Sequence, residues 1–273
     1  MENVMCVDLE DWYNANLAVG IDPDKAESRV VKNTETLLDM FRLTRTKCTF
    51  FVLGSIAEKF PELILKIIEG GHEVASHGYA HQLVYLQKPE EFRQDIKKAK
   101  AILEAITNIP VNSYRAPSWS IREDSFWALE ILQDEGFKND SSIFPFKNFL
   151  YGVSHAPRFI YSTVKYNSKT QLSEFPPSTI RVLGINIPYA GGFYFRVLPL
   201  WFIKYCIKIN NKKGNASIMY IHPWEIDADT PRIKLKFRDS LIQYWGIKRC
   251  KTKLMKLLNA FEFTNISAIK EKI

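Results

Sequence analysis

Glycine and proline are sparse, at 12 and 13 among 273 residues, while 46% of the chain is hydrophobic and 25% charged. That balance excludes collagenous, low-complexity and disordered classes and leaves a folded globular protein. Cysteine is scarce as well. Cys6, Cys48, Cys206 and Cys250 lie far apart with no C-x-x-C pair, which argues against a disulfide framework or a cysteine metal site and for buried free thiols. No run reaches the roughly 18 uninterrupted apolar residues that spanning a bilayer takes. The nearest, residues 193–209, is interrupted by Arg196, Pro199, Lys204 and Lys208. Acidic residues at Glu2, Asp8, Glu10 and Asp11 stand where a signal peptide would be basic and then apolar, so a cytoplasmic protein is expected. There is no internal repeat and no linker rich in Ser, Gly or Pro.

The net charge of +7 is concentrated at one end. Residues 230–273 hold 11 Lys/Arg and 3 Asp/Glu, whereas residues 1–229 hold 26 and 27. The tail therefore offers a basic face toward anionic lipid, acidic glycan or nucleic acid, or a plain solvated surface.

Short apolar strands alternate with helical periodicity through the first half. Strands are expected at residues 4–7, 48–53, Glu73–Ser76, 113–115 and 137–140. Helices are expected at 33–41, at Pro61–Glu69 with proline at its first turn and Gly70-Gly71 at its end, at 90–106 and at 124–135. Residues 217–221 read as a late strand, 241–258 as a basic helical region and 264–266 as a last strand. Residues 142–216 are aromatic-rich and irregular, without assignable elements.

Alternation of this kind builds parallel βαβ units, in an open sheet or a barrel. Asp8 and Glu10, His77 and His81, Arg115, Asp140 and His222 each follow a β-like run. A β/α barrel gathers all such ends on one rim. A doubly wound sheet would gather them only at its switch point, so a barrel explains more.

Of five histidines, two form His77-Gly78-Tyr79-Ala80-His81. The glycine and the preceding β-like run place both rings on a loop or first helical turn rather than on the zincin helix, and the zincin glutamate is absent. Asp8 and Glu10 lie on one side of their strand, with Asp11 displaced. Two histidines and a carboxylate with open positions suit Zn²⁺ or a similar first-row ion that activates water.

In this order, Val7-Asp8-Leu9-Glu10-Asp11-Trp12, the pair His77 and His81, Arg115-Ala116-Pro117, the run from Asn139 to Pro145 and His222-Pro223-Trp224-Glu225 resemble the polysaccharide deacetylases of the NodB-homology type, carbohydrate esterase family 4. The similarity is greatest to a bacterial subgroup linked to exopolysaccharide biosynthesis, which shares a basic C-terminal extension. The resemblance implies a distorted (β/α) barrel of about seven strands over residues 1–229, with the basic extension 230–273 packed on it. It implies hydrolysis of an N-acetyl group on a sugar of a bacterial polysaccharide or its lipid-linked precursor. Asp8 would be the general base, His222 the proton donor to the leaving amine, and Arg115 would hold Asp8 ionised and oriented. Asp140 would tune Arg115 or His222. The metal, zinc with cobalt or nickel as alternatives, would be held by Glu10, His77 and His81, with Asp11 as the alternative carboxylate. Trp119, Pro117 and Trp224 would line the sugar site, and Gly191-Gly192 would let a glycan approach the backbone. His72 and His155 are read as structural or surface groups.

Three positions depart from the family's pattern. The acidic motif is Asp-x-Glu-Asp rather than adjacent aspartates, Gly78 stands where Ser or Thr is common, and Tyr220 occupies a position that is often Leu. Two rival readings remain: a C–N hydrolase acting on a small amide or ureide, and a non-catalytic module binding an anionic membrane or glycan through the tail. Nucleic acid is disfavoured, because charge is present but no recognition motif is. Peripheral contact with the inner membrane surface fits the tail and the apolar segment 198–209.

Overall fold

The run NVMCVDL (Asn3–Leu9, β1) has all seven residues buried, as expected of a parallel strand covered on both faces. It anchors the fold in a computed structural model that describes residues 1–14, 20–23 and 25–271. A βα rhythm follows. Helix α1 (Val30–Thr44) leads to β2 (Thr49–Val52), then α2 (Gly54–Lys59), α3 (Pro61–Glu69), β3 (Glu73–Ser76), α4 (Pro89–Thr107), β4 (Ser113–Tyr114), α5 (Trp127–Asp134) and β5 (Asn139–Asp140). The helices bury one apolar stripe each, such as Phe92, Ile96, Ala99 and Leu103 of α4.

The second half breaks the rhythm. It contains β6 (Tyr161–Ser162), β7 (Ser173–Glu174), a hairpin of β8 (Thr179–Val182) and β9 (Ile185–Pro188), α6 (Gly192–Val197), α7 (Leu200–Lys212) and β10 (Ile218–Ile221). After β10 come α8 (Phe237–Tyr244), α9 (Ile247–Leu258), β11 (Phe263–Thr264) and α10 (Ile266–Lys270). The basic helical region expected at 241–258 is thus two helices. They part at Gly246, whose φ of +80° L side chains rarely adopt.

The main sheet runs β10-β1-β2-β3-β4-β5-β7-β6, with β11 also beside the start of β1; every pairing is parallel except β6 with β7. It is a single-domain, curled half-barrel of eight strands. Closure between β7 and β10 is left to loops. Ser178 donates its N–H to Ile218 O, its hydroxyl accepts from Ile218 N, and Tyr220 N–H bonds Ala190 O. Register sets the rim: Val7 pairs with Ile221, Val52 with Ser76, Ser76 with Tyr114 and Tyr114 with Asp140. The residues immediately following β3, β4 and β10, namely His77, Arg115 and His222, therefore emerge beside Asp8 of β1 and Glu10 just past its end.

The C-terminal segment is woven into this frame. The inner face of α9 is buried, and a second apolar cluster of Trp12, Trp224, Tyr244 and Ile247 joins it to the loops after β1 and β10. All four cysteines are buried free thiols.

Candidate active site

Asp8 and Arg115 form the innermost pair, with Nη1 to Oδ1 at 2.6 Å and both side chains buried. The guanidinium also donates to Ser141 Oγ at 2.8 Å and lies 4.1 Å above the Phe51 ring. Its position is therefore set from β2, β4 and the end of β5 together. A buried ion pair persists only when its remaining donors are met, and Ser141 meets them here.

Glu10, His77 and His81 present one ligand atom each within 4.8 Å of one another. His77 Nδ1 donates to Arg115 O at 2.7 Å, which leaves the Nε2 lone pair for a cation. Burial, reinforced by His81, pushes the His77 pKa down to about 3, so the ring is neutral. Burial opposes the charge on Glu10, but His81 and His222 outweigh it and hold the carboxyl below its usual range. Two imidazoles and a buried carboxylate converge here, with His81 Nε2 2.8 Å from Glu10 Oε2, and this donor set fits a divalent ion with open positions. The loop that carries His81 is unusual. Gly78 has φ +75° and His81 itself +55°, and Asp95 of α4 secures the turn by accepting from Tyr79 N and Ala80 N.

His222 faces this cluster, with Nε2 3.2 Å from Glu10 Oε1 and 3.8 Å from Asp8 Oδ2. Its Nδ1 donates to Glu225 Oε2 at 2.9 Å. Burial disfavours the imidazolium, yet Glu10, Glu225 and Asp8 together push the pKa up to about 9. Glu225 is in turn held down to about 2: burial opposes its charge, and His222 and Arg196 overcome that. Arg196 Nε reaches Glu225 Oε1 at 2.6 Å, while its other nitrogens donate to Ile242 O, Gln243 O and Trp245 O at the end of α8.

A pocket of about 490 Å³ opens above these groups. Trp119, Phe149, Phe193, Tyr220 and Trp224 contribute its aromatic walls, and Arg238 and Ile242 of α8 close one side. Trp224 stacks on His222 at 5.5 Å. Ser118 and Trp119 both adopt positive φ, +53° and +50°, which is backbone strain at the pocket edge.

Asp8, Glu10, His77, His81, Arg115, His222, Trp119 and Trp224 are thus brought together. Three expected residues are not at the same point. Asp11 caps α1, accepting from Ser28 Oγ, Arg29 N and Val30 N, so its carboxylate is spent away from the histidines. Pro117 is buried and starts the turn that presents Ser118 and Trp119, without lining the pocket itself. Asp140 lies behind Arg115 rather than beside His222. Its Oδ1 accepts from Ser142 Oγ, and its Oδ2 and Glu174 Oε2 are both buried without a donor. The two carboxyls face each other across β5 and β7, and burial raises the pKa of both. Gly191 and Gly192 serve packing, since a Cβ on Gly191 would fall 2.1 Å from Tyr220 O and one on Gly192 2.9 Å from its hydroxyl.

His72 is buried against Cys48, Phe41 and Phe50, and His155 is exposed beside Glu123. Glu225, Glu174, Arg196 and Asp95 were not anticipated. Only Glu225 leaves a local trace, three residues after His222 and across Pro223, the spacing of a capping box.

Residues 22–138 match the profile of the polysaccharide deacetylase family, and residues 141–271 match a domain of unknown function, DUF3473. The chain is 34% identical over 98 residues to a peptidoglycan-N-acetylglucosamine deacetylase of Bacillus cereus, covering 36% of each chain. It spans between 17% and 48% of the length of the curated relatives it matches. Among solved structures, a polysaccharide deacetylase from Mycobacterium smegmatis shares the fold at TM-score 0.63 and 18% identity, over 100% of this chain and 90% of that one. A pseudoenzyme of the CE4 family from Bacillus anthracis shares it at 0.52 and 14%, over 98% and 64%. A fold that also carries a pseudoenzyme does not establish catalysis, so activity must be argued from the side chains.

Proposed function

We propose that the protein is a metal-dependent deacetylase that hydrolyses the N-acetyl group of an N-acetylated sugar in a bacterial polysaccharide or its lipid-linked precursor. One observation carries this reading: the Glu10–His77–His81 cluster faces Asp8–Arg115 on one side and His222–Glu225 on the other, at the floor of an aromatic pocket. The deacetylase activity of the relatives supports it.

Glu10, His77 and His81 would hold a divalent ion, zinc by its donor set, which when bound would supply Lewis-acid polarisation of the acetamide carbonyl and acidify water. Asp8, anionic beside Arg115, accepts a proton from the water whose oxygen bonds to the carbonyl carbon. His222, protonated on both nitrogens, delivers its Nε2 proton to the sugar nitrogen as the C–N bond breaks. The free amine and acetic acid leave, the acid giving its proton to solvent as acetate, and the proton on Asp8 returns to His222, which restores both groups. Glu225 holds the imidazolium in place throughout. Trp119, Phe149 and Trp224 offer ring faces to the sugar.

The finer assignments belong to the same proposal. They are the exopolysaccharide subgroup, a cytoplasmic setting, and a basic extension 230–273 on a barrel 1–229. The test is acetate release from N-acetylglucosamine oligomers and from N-acetylated bacterial polysaccharide, with zinc, cobalt or nickel added, beside His77→Ala/His81→Ala. Acetate release lost in that variant sustains the reading. Turnover of small amides or ureides without acetate release from glycans sinks it in favour of the small-substrate hydrolase.

A further inference from the structure

Helix α8 has two working faces. Arg238, Asp239, Ile242 and Gln243 line the catalytic pocket. The opposite stripe, Phe237, Leu241 and Trp245, is spaced i, i+4, i+8 and points outward, with Phe237 81% and Trp245 56% exposed. Leu241 and Trp245 form one bank of a separate groove whose other bank is Val197 and Leu200. Next to Leu200, on the first turn of α7, Trp201 is 70% exposed, and Tyr205 follows one turn later, also exposed.

A water-facing surface seldom concentrates large aromatic rings of this kind. Trp and Tyr beside lysine and arginine are the pair of features that suit the boundary between water and lipid headgroups. The charge around the groove agrees. Residues 197–213 carry four lysines and no acid, and residues 231–258 carry nine basic residues against Asp239 alone. Lys248 and Arg249 line the groove and are exposed, and Lys204 and Lys208 extend the basic border along α7. Among the described residues no helix is long and apolar enough to cross a membrane, so contact made by these helices is with the membrane surface.

We propose that the α7–α8–α9 face docks the protein on an anionic phospholipid leaflet, with Phe237, Trp201 and Trp245 entering the headgroup layer and Lys248 and Arg249 on the lipid phosphates. The wall shared with the catalytic pocket, α8, then lies at the lipid surface. The docking stands independently of what the pocket hydrolyses.

The full chain is sedimented with vesicles of phosphatidylcholine alone and of phosphatidylcholine with about 30 mol% phosphatidylglycerol. The expected result is pelleting with the anionic vesicles only, weakened when salt rises from about 0.1 to about 0.5 M. Phe237→Ala/Trp245→Ala and Lys248→Glu/Arg249→Glu should each reduce the vesicle partition coefficient about tenfold or more. All four side chains are exposed, so an unchanged melting temperature shows that the variants fold. Three results overturn the proposal. One is no pelleting with anionic vesicles at low salt. Another is aromatic variants that bind as the wild type does, which would leave charge alone. The third is light scattering that finds a wild-type dimer returned to monomer by Phe237→Ala/Trp245→Ala, which would make the face a contact between two copies.

Discussion

Residues 1–140 and residues 141–271 are built on different plans. The first segment alternates strand and helix, and three of its strands deliver groups to the rim: Asp8 within β1 and Glu10 just past it, His77 and His81 after β3, Arg115 after β4. The second is irregular, with two-residue strands, a detached hairpin and helices that do not alternate with strands. It nevertheless supplies His222, Glu225, Arg196 and most of the pocket wall. The regular segment fixes where the Glu10–His77–His81 cluster and the Asp8–Arg115 pair sit, because parallel register leaves little freedom. The irregular one builds most of the pocket wall and places His222 against Glu225, as connecting segments on a rigid scaffold commonly do. The deacetylase profile covers only residues 22–138, so Asp8 and Glu10 on one flank and His222 on the other complete the site from outside it.

If that division holds, removing a ligand from the regular segment should abolish the chemistry outright. Glu10→Gln keeps the shape but takes the anionic donor from between His77 and His81. We expect metal content to fall from about one ion per chain toward none and kcat/KM to drop by about 10³-fold or more. Elemental analysis beside acetate release checks both. A variant that kept its ion and its activity would move the ligand role to another carboxylate.

The next effect lies in the second segment. Glu225→Gln leaves an acceptor for His222 Nδ1 but removes the charge that helps keep the ring protonated, and it strands the buried Arg196 guanidinium. We expect kcat to fall about 10²–10⁴-fold with KM nearly unchanged. Stability should fall by up to about 3–5 kcal/mol, as for a buried pair broken on one side. Thermal melting shows whether the assay temperature is still below the transition. A KM effect of the same size would instead place Glu225 among the groups that bind substrate.

Substrate recognition should respond more gently. Phe149 is 77% exposed at the pocket and lies 5.5 Å beneath the Arg238 guanidinium. Phe149→Ala should raise KM for an N-acetylglucosamine oligomer about three- to tenfold with kcat within about twofold, since one ring face is worth about 1 kcal/mol. A fall in kcat alone would put Phe149 in the machinery rather than at the entrance.

Much of the first segment was legible because period-2 and period-3.6 patterns run long enough to be read there. Pro61–Glu69 and Glu73–Ser76 occur where the pattern puts them. The second segment hid its elements because β6 and β7 are two residues each, too short to show alternation. Site residues followed the same rule. Groups at strand ends were visible, whereas Arg196 and Glu174 reach the site through packing between distant stretches, 29 residues from Glu225 and 34 from Asp140. Asp11, read as displaced from Asp8 and Glu10 and kept as the alternative carboxylate, lies two residues past the end of β1 and caps α1.

The smallest expected effect concerns Glu174, which sits opposite Asp140 across the β5–β7 pair. Burial raises the pKa of both carboxyls, and a proton held between their orphaned oxygens is the expected partner of each. The folded state therefore holds a proton that the unfolded chain releases near the ordinary carboxylate value of about 4. Raised folded values mean that this contribution is fully present at low pH and is lost as pH rises through them. Glu174→Gln keeps the acceptor for Ile143 N and supplies a permanent N–H toward Asp140. Between about pH 5 and about pH 8 the wild-type melting temperature should fall relative to that of the variant, by a few degrees at the upper end, corresponding to about 1 kcal/mol. Parallel pH–melting curves for the two proteins would mean that the carboxyls do not share a proton, and Arg115 would then face an ionised pair on its second-segment side.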